Sequence, residues 1–312
     1  MHRSALAVLG CPSCHGPLRP EDPEDEVETG HLVCDAERIR FPVSEGIPCL
    51  VEPERVGQVE GLALSYARAW QRAGWGASEP SDLLSLPYED GSGQHASEWR
   101  VKAHSLDALD RLLARMKPRR VVDLGCGVGW LSYRLAQRGY EVYAIDIVLD
   151  ALVGLRAAGV YLRSGVTFER VRGELERPPL RSSSVDAVIC NASLHYARDL
   201  RRTLNEIKRV LRPDGLFVEM NSAVYRDAKS AARALVDFRR RLREFGASEQ
   251  VVSSYHHFTR DALVRAIAEE IGPVAQEQFE PGRWFRWTRR AKGAVLRMEL
   301  ASFPLLYATL VR

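Results

Sequence analysis

The stretch Val121-Val122-Asp123-Leu124-Gly125-Cys126-Gly127-Val128-Gly129 decides the fold. Its first residues read as a short buried strand, Arg120–Leu124, broken only by Asp123. Glycine then stands at every second position, and a helical pattern over residues 128–139 follows without a spacer. Gly125 and Gly127 let the backbone come close to a ligand, while Gly129 lets the helix pack on its strand. The turn is therefore a ligand-binding turn at the edge of a βα unit.

Outward from this turn the alternation continues. Strands are predicted at Glu141–Asp146, 167–172, Val185–Asn191, 215–220, 274–279 and 305–311. Helices are predicted at 148–158, 199–210 and 260–271, with a further helix at 98–116 ahead of the turn and stopped by Pro118. Alternating strands and helices imply an α/β domain: a mostly parallel, Rossmann-like sheet with helices on both faces. Asp146, at the end of the second strand, is placed to accept hydrogen bonds from ribose hydroxyls. The turn lacks both the G-x-G-x-x-G spacing and the lysine of a phosphate loop, which disfavours a pyrophosphate ligand.

Composition bounds the rest. The 312 residues are 46% hydrophobic and 27% charged, with 44 Lys+Arg against 41 Asp+Glu, so a disordered or fibrous chain is excluded. A net charge of +3 is too small to argue for nucleic acid by itself. There is no run of ~20 apolar residues for a membrane span, and Ala5–Leu9 is shorter than the ~7–15-residue core of a signal peptide. Six cysteines in a chain of this length do not make a disulfide framework, which points to a reducing cytoplasm.

Residues 1–55 form a separate β-rich unit, with short strands near 31–34, 38–43 and 49–51 around a Cys11-Pro12-Ser13-Cys14 knuckle. So small a unit needs a metal or a neighbouring domain to be stable. Residues 56–97 read as a helical segment followed by a loop-rich lid over 74–93, and 98–312 as the α/β domain, with an insertion at about 221–258.

Two resemblances sharpen this picture. Asp123-Leu-Gly-Cys-Gly-Val-Gly129, Tyr143-Ala-Ile-Asp146 and Leu211-Arg-Pro-Asp-Gly215 resemble the class I S-adenosylmethionine-dependent methyltransferases. This implies a seven-stranded sheet and assigns roles by position. Asp123, Gly125, Cys126, Gly127 and Gly129 would meet the methionine part of S-adenosyl-L-methionine, Asp146 the ribose and Ile147 the adenine. Glu174 and Leu175 would stand by the adenine amino group, and Asn191 where the methyl group meets its acceptor. The second resemblance is carried by Cys11-Pro-Ser-Cys14, Leu32-Val-Cys34 and 41–48, which are similar to the Trm112-like zinc-ribbon family. It implies a zinc site at Cys11, Cys14 and Cys34, with Glu37 where a fourth cysteine is expected and His15, His31 and Cys49 as substitutes, or else a ribbon held by packing alone.

The segment after the fourth strand, Asn191-Ala-Ser-Leu-His195-Tyr196, lacks the Asn/Asp-Pro-Pro-Tyr/Phe motif of amino-methylating nucleic-acid enzymes. Cys126 and Cys190 are in the wrong contexts for a nucleophile toward pyrimidine carbon. The reading is thus a transfer of methyl to a small-molecule or lipid-like acceptor, with His195 as base candidate and Tyr196, His256 and His257 beside it. A ribosomal RNA or tRNA base methyltransferase carrying a zinc ribbon is the alternative, and a non-enzymatic interaction module a third. Two basic segments, Arg239–Arg241 and residues 283–292, would face substrate anions, an anionic membrane surface in peripheral contact, or simply solvent. An enclosed acceptor pocket is expected under the lid, with Tyr225, Tyr255, His256 and His257 facing His195 and Tyr196.

Overall fold

The structure is a computed structural model that describes residues 1–22, 26–76, 79–279 and 300–311. Its centre is a seven-stranded sheet made of β5 (Arg120–Leu124), β6 (Glu141–Asp146), β7 (Glu169–Arg172), β8 (Val185–Asn191), β9 (Leu211–Met220), β12 (Val274–Glu277) and β13 (Leu305–Thr309). The order is β12-β13-β9-β8-β5-β6-β7. β13 is antiparallel to both neighbours, and the pairings from β9 through β7 are all parallel. The strand order reverses between β5 and β8, so a crevice opens outside their carboxyl ends.

The pleat divides the core. Val122, Tyr143, Ile145, Val188 and Phe217 lie on one face, against α6 (Leu200–Val210) and α9 (Arg260–Glu270). Val121, Val142, Ala144, Ile189 and Val218 lie on the other, against α3 (Ala96–Met116) and α4 (Trp130–Gln137). Neighbouring residues of one strand thus reach opposite layers, as period-two side chains must. α3 ends where Lys117 turns left-handed at φ 51° before Pro118. α6 starts at Asp199, whose carboxylate accepts from the Arg202 amide at 3.0 Å.

One predicted helix is absent. Residues 148–158 fold as turns, closed by the Leu155 amide on the Val148 carbonyl at 2.9 Å, and only α5 (Gly159–Arg163) is helical. Asp150 binds the Leu152 and Val153 amides, and a side chain at Gly154 would lie 2.3 Å from the Val148 carbonyl oxygen. Local polar capping therefore outweighs the helical spacing. Within the lid region α1 runs Val56–Arg72, and a short α2 (Pro80–Ser85) stands where only loop was expected. After β9 come β10 (Val224–Tyr225), α7 (Ala228–Glu244), α8 (Glu249–Ser254) and β11 (Phe258–Thr259), with β10 parallel to β11.

The N-terminal unit is an antiparallel sheet of β1 (Arg19–Pro20), β2 (Gly30–Cys34), β3 (Ile39–Ser44) and β4 (Ile47–Pro48). The last predicted strand, 49–51, is not part of it; instead the Leu50 amide bonds to the Arg172 carbonyl at 2.9 Å, extending the β7 edge. Gly10 donates to the Pro179 carbonyl and Arg181 to that of Val8, both at 2.9 Å. Leu9, Leu32, Phe41 and Leu50 share one apolar cluster with Val122 and Val188. The small unit thus borrows its core from the large sheet. Among the described residues no helix is long and apolar enough to cross a membrane.

Candidate cofactor and acceptor site

The crevice at the strand ends holds a cavity of about 490 Å³, within the usual range for ligand sites. One half of its wall is backbone. Gly125, Gly127 and Gly129 adopt φ of +79°, +56° and +76°, values that L side chains rarely take. A Cβ on Gly125 would sit 2.4 Å from that of Ser193, whereas one on Gly127 would meet nothing within 4 Å. The loop is thus wedged from behind at Gly125 and open to a ligand at Gly127. Asp146 accepts from the Gly127 amide at 2.8 Å and from the Val148 amide at 2.9 Å, which fixes the carboxylate at the cavity wall. Burial raises its pKa, and these backbone donors offset part of the rise. The remaining acceptor capacity suits the hydroxyls of a ribose.

Ile147, Glu174, Leu175 and Asn191 also line the cavity, as do Cys126 and Val128. Asp123 and Gly129 do not. Asp123 is buried beneath the loop, accepts from the Ser132 hydroxyl at 2.7 Å, and is pushed up by burial to about 7. Glu174 is gripped by Arg55, whose guanidinium reaches both carboxylate oxygens at 2.8 and 2.5 Å, and Arg198 stands 3.7 Å away. Arg55 belongs to the segment joining the N-terminal sheet to α1, so that segment reaches the edge of the site. Burial drives the Cys126 and Cys190 thiols well above their ordinary range, so neither is a ready nucleophile.

The other half is aromatic. Tyr196 sits 5.3 Å from the rings of both Tyr66 and Tyr255 and 6.0 Å from Trp70, with Phe238 stacked on Tyr255 at 4.1 Å. His195 is buried beside them, its Nδ1 2.9 Å from the Ser222 hydroxyl. Burial holds this imidazole down at about 3, so it stays neutral. His256 and His257 fall outside the wall. The backbone after α8 is extended at Tyr255, so Tyr255 enters the cavity and His256 is turned away. His257 is taken up by the rings of Tyr225 and Phe238 at 5.0 and 5.9 Å. Tyr225 is likewise absent from the wall.

Sequence reasoning missed the third side, made by α3 and the segment before it. Trp75, Trp99 and Trp130 form an edge-to-face series at 5.9 and 5.7 Å, and Lys102 reaches into it. The signal was present: Trp99, Lys102, Leu106, Leu109 and Leu113 share the 3–4 spacing of one helix face, so Lys102 occupies an apolar register. Asn221 was missed too; its amide donates to Ser105 at 2.9 Å and to Asn191 at 2.8 Å, tying α3 to the ends of β8 and β9.

In the N-terminal sheet the sulfurs of Cys11, Cys14 and Cys34 lie within 4.8 Å of one another. The 3.6 Å between Cys14 and Cys34 is close to the ~3.8 Å that two thiolates subtend on a tetrahedral zinc. Burial and the neighbouring thiols push Cys14 up to about 11, the state a metal would reverse. Glu37 is exposed on the β2–β3 turn and lies outside this group; the half-buried His15, His31 and Cys49 lie outside it too. His31 faces Glu21 at 3.3 Å instead. Three thiols fit zinc with a fourth position open among the described residues. Of the two basic segments, Arg239 donates to the Ser253 and Tyr255 carbonyls, which makes it a brace for α8, while residues 283–292 lie outside the described residues.

Comparison with known proteins agrees with the geometry. Residues 122–218 match the family model of a methyltransferase domain, and residues 3–46 that of a Trm112p-like protein. The chain carries a class I methyltransferase domain behind a Trm112-like domain. This methyltransferase domain is 32% identical over 140 residues to the malonyl-[acyl-carrier protein] O-methyltransferase of a Methylovorus species, covering 43% of this chain and 47% of that one. It is 40% identical over 132 residues to an uncharacterized methyltransferase of Mycobacterium tuberculosis, covering 42% and 50%. The chain spans about half the length of these curated relatives. Among solved structures, a chain of the Haloferax volcanii Trm112 methyltransferase activator complex superposes with a TM-score of 0.49 at 17% identity, covering 76% of this chain and 100% of that one.

Proposed function

We propose that this protein is an S-adenosylmethionine-dependent methyltransferase acting on a small-molecule or lipid-like acceptor. The observation that carries this reading is the glycine turn and Asp146 opening onto the same cavity as an aromatic wall, at the point where the strand order reverses. S-adenosyl-L-methionine would supply an electrophilic methyl group there. Gly127 and its neighbours would cradle the methionine part, Asp146 the ribose, and Ile147 and Leu175 the adenine. The aromatic wall would exclude water and hold the acceptor in line, which is where most of the rate gain in a direct transfer arises. His195, neutral and fixed through Ser222, would orient the acceptor's hydroxyl, since burial leaves its imidazole too weak a base to hold the proton. Zinc, where bound, would be held by Cys11, Cys14 and Cys34 and would stabilise the small sheet.

A walled aromatic cavity favours a small acceptor over a nucleic-acid base. Among the described residues its one lining arginine, Arg198, is already paired with Glu174 and Glu176 at 3.7 and 3.6 Å. The test is incubation with methyl-labelled S-adenosylmethionine and separated metabolite, lipid and RNA fractions of a cell extract. Label is expected in a small-molecule or lipid fraction; label in RNA alone would replace this reading with the RNA alternative.

A further inference from the structure

Resting on that reading, the cavity also defines the acceptor's chemistry. Lys102 projects from the second turn of α3 into the cavity wall, where its ammonium lies 4.1 Å from the ring centre of Trp99 and 4.6 Å from that of Trp75. These rings stabilise a cation by their faces but do not neutralise it. Among the described residues no carboxylate forms a contact ion pair with it; Glu98, one turn earlier on α3, acts on it only through space, beyond 4 Å. The other lining cation among the described residues, Arg198, is engaged by two carboxylates, and the imidazole of His195 is neutral. Among the described residues Lys102 is thus the one lining cation without a carboxylate in contact, and it stands at a corner walled by Trp75 and Trp99, while the acids Asp146, Glu174 and Glu176 line the cavity elsewhere.

Such a group is costly unless a ligand completes it. We infer that the acceptor carries an anionic oxygen group, a carboxylate or an ionised hydroxyl, on an apolar or aromatic body, and that Lys102 holds that anion. The body would lie along the Tyr66, Tyr196 and Tyr255 rings, and the anion would reach the Trp75–Trp99 corner. Burial already pushes the Lys102 ammonium down to about 8, and an anion beside it would draw it back up.

The test uses near-isosteric pairs of probes on the full chain: 2-naphthoate against 2-naphthamide, and 4-nitrophenolate against 4-nitroaniline, each titrated by calorimetry. At least one anion should bind about tenfold or more tighter than its neutral partner, and the pair that shows the preference identifies the oxygen group. Lys102→Met should cut that ratio below about threefold, and Lys102→Arg should keep it. Equal binding of both members of both pairs by the natural protein would overturn the inference, as would a preference that survives in Lys102→Met. S-adenosylhomocysteine is titrated in parallel. Absence of its binding while the anion preference stands would refute the methyltransferase reading alone. Its retention while no anion preference appears would refute this inference alone.

Discussion

The two halves of the cavity are built from different materials. The half proposed for the cofactor is centred on backbone and the Asp146 carboxylate, from one strand–turn–helix and the end of the next strand, with Ile147 and Leu175 at its far side. The acceptor half is side chains, with Tyr66 and Ser254, 188 residues apart in sequence, joined at 3.1 Å. A backbone site demands glycine and one acid at set positions and tolerates little else. A side-chain site demands only rings and a charge in the right volume, so it can be rebuilt for another acceptor without disturbing the first half. Damage to the two halves should therefore be separable.

The largest effect belongs to the backbone half. Gly125→Val would force a β-branched residue into positive φ and drive its Cβ into Ser193. Affinity for S-adenosylhomocysteine should fall by more than about 100-fold, with melting lowered by several degrees. A variant that binds normally would break the distinction. In the acceptor half, Tyr255→Ala removes a ring packed on His195 at 4.7 Å and Tyr196 at 5.3 Å. Acceptor kcat/KM should fall about tenfold or more while S-adenosylhomocysteine affinity stays within about threefold. Equal losses of both would show one coupled site instead of two halves.

The smallest effect sharpens the boundary between the halves. Glu219 is buried on β9 beneath Ser222, and neither of its carboxylate oxygens has a well-formed hydrogen bond. Burial pushes it up to about 8, with the nearby Ser222 pulling the other way only in part. It is therefore a neutral acid near pH 7. An unfolded glutamate ionises near pH ~4.3, so between about pH 4 and 8 the folded chain keeps a proton that the unfolded chain gives up. That contribution is lost as pH rises through the window. Glu219→Gln should match the natural protein near pH 4 and melt a few degrees higher at pH 8, a gap that grows with pH. A pH-independent difference would mean that Glu219 is ionised in the fold.

This contrast also explains what could be read from the sequence. The glycine turn and the acid that ends the next strand are encoded locally, by residue types that few other conformations accept, whereas the strand order is set by long-range pairing that no local pattern reveals. The helix expected over 148–158 failed because Asp150 caps two amides at short range, a choice that spacing alone does not reveal. Tyr255 reaches the cavity while His256 does not because the backbone is extended there, and one residue decides the direction. Lys102 was legible in principle, as a lysine in the apolar register of α3, but its meaning depends on Trp75, which arrives from another element. Glu37 follows the same logic: it has the spacing of a fourth ligand, yet the turn leaves it in solvent and outside the group of three thiols.

The central claim is that the glycine turn and Asp146 form a cofactor site. Calorimetric titration of S-adenosylhomocysteine into the natural protein and Asp146→Ala tests it most directly. The account predicts one equivalent bound by the natural protein and an affinity about 10- to 100-fold weaker in the variant, the size expected for lost hydrogen bonds to a charged acceptor. No binding to the natural protein, or the same affinity in both, would contradict it.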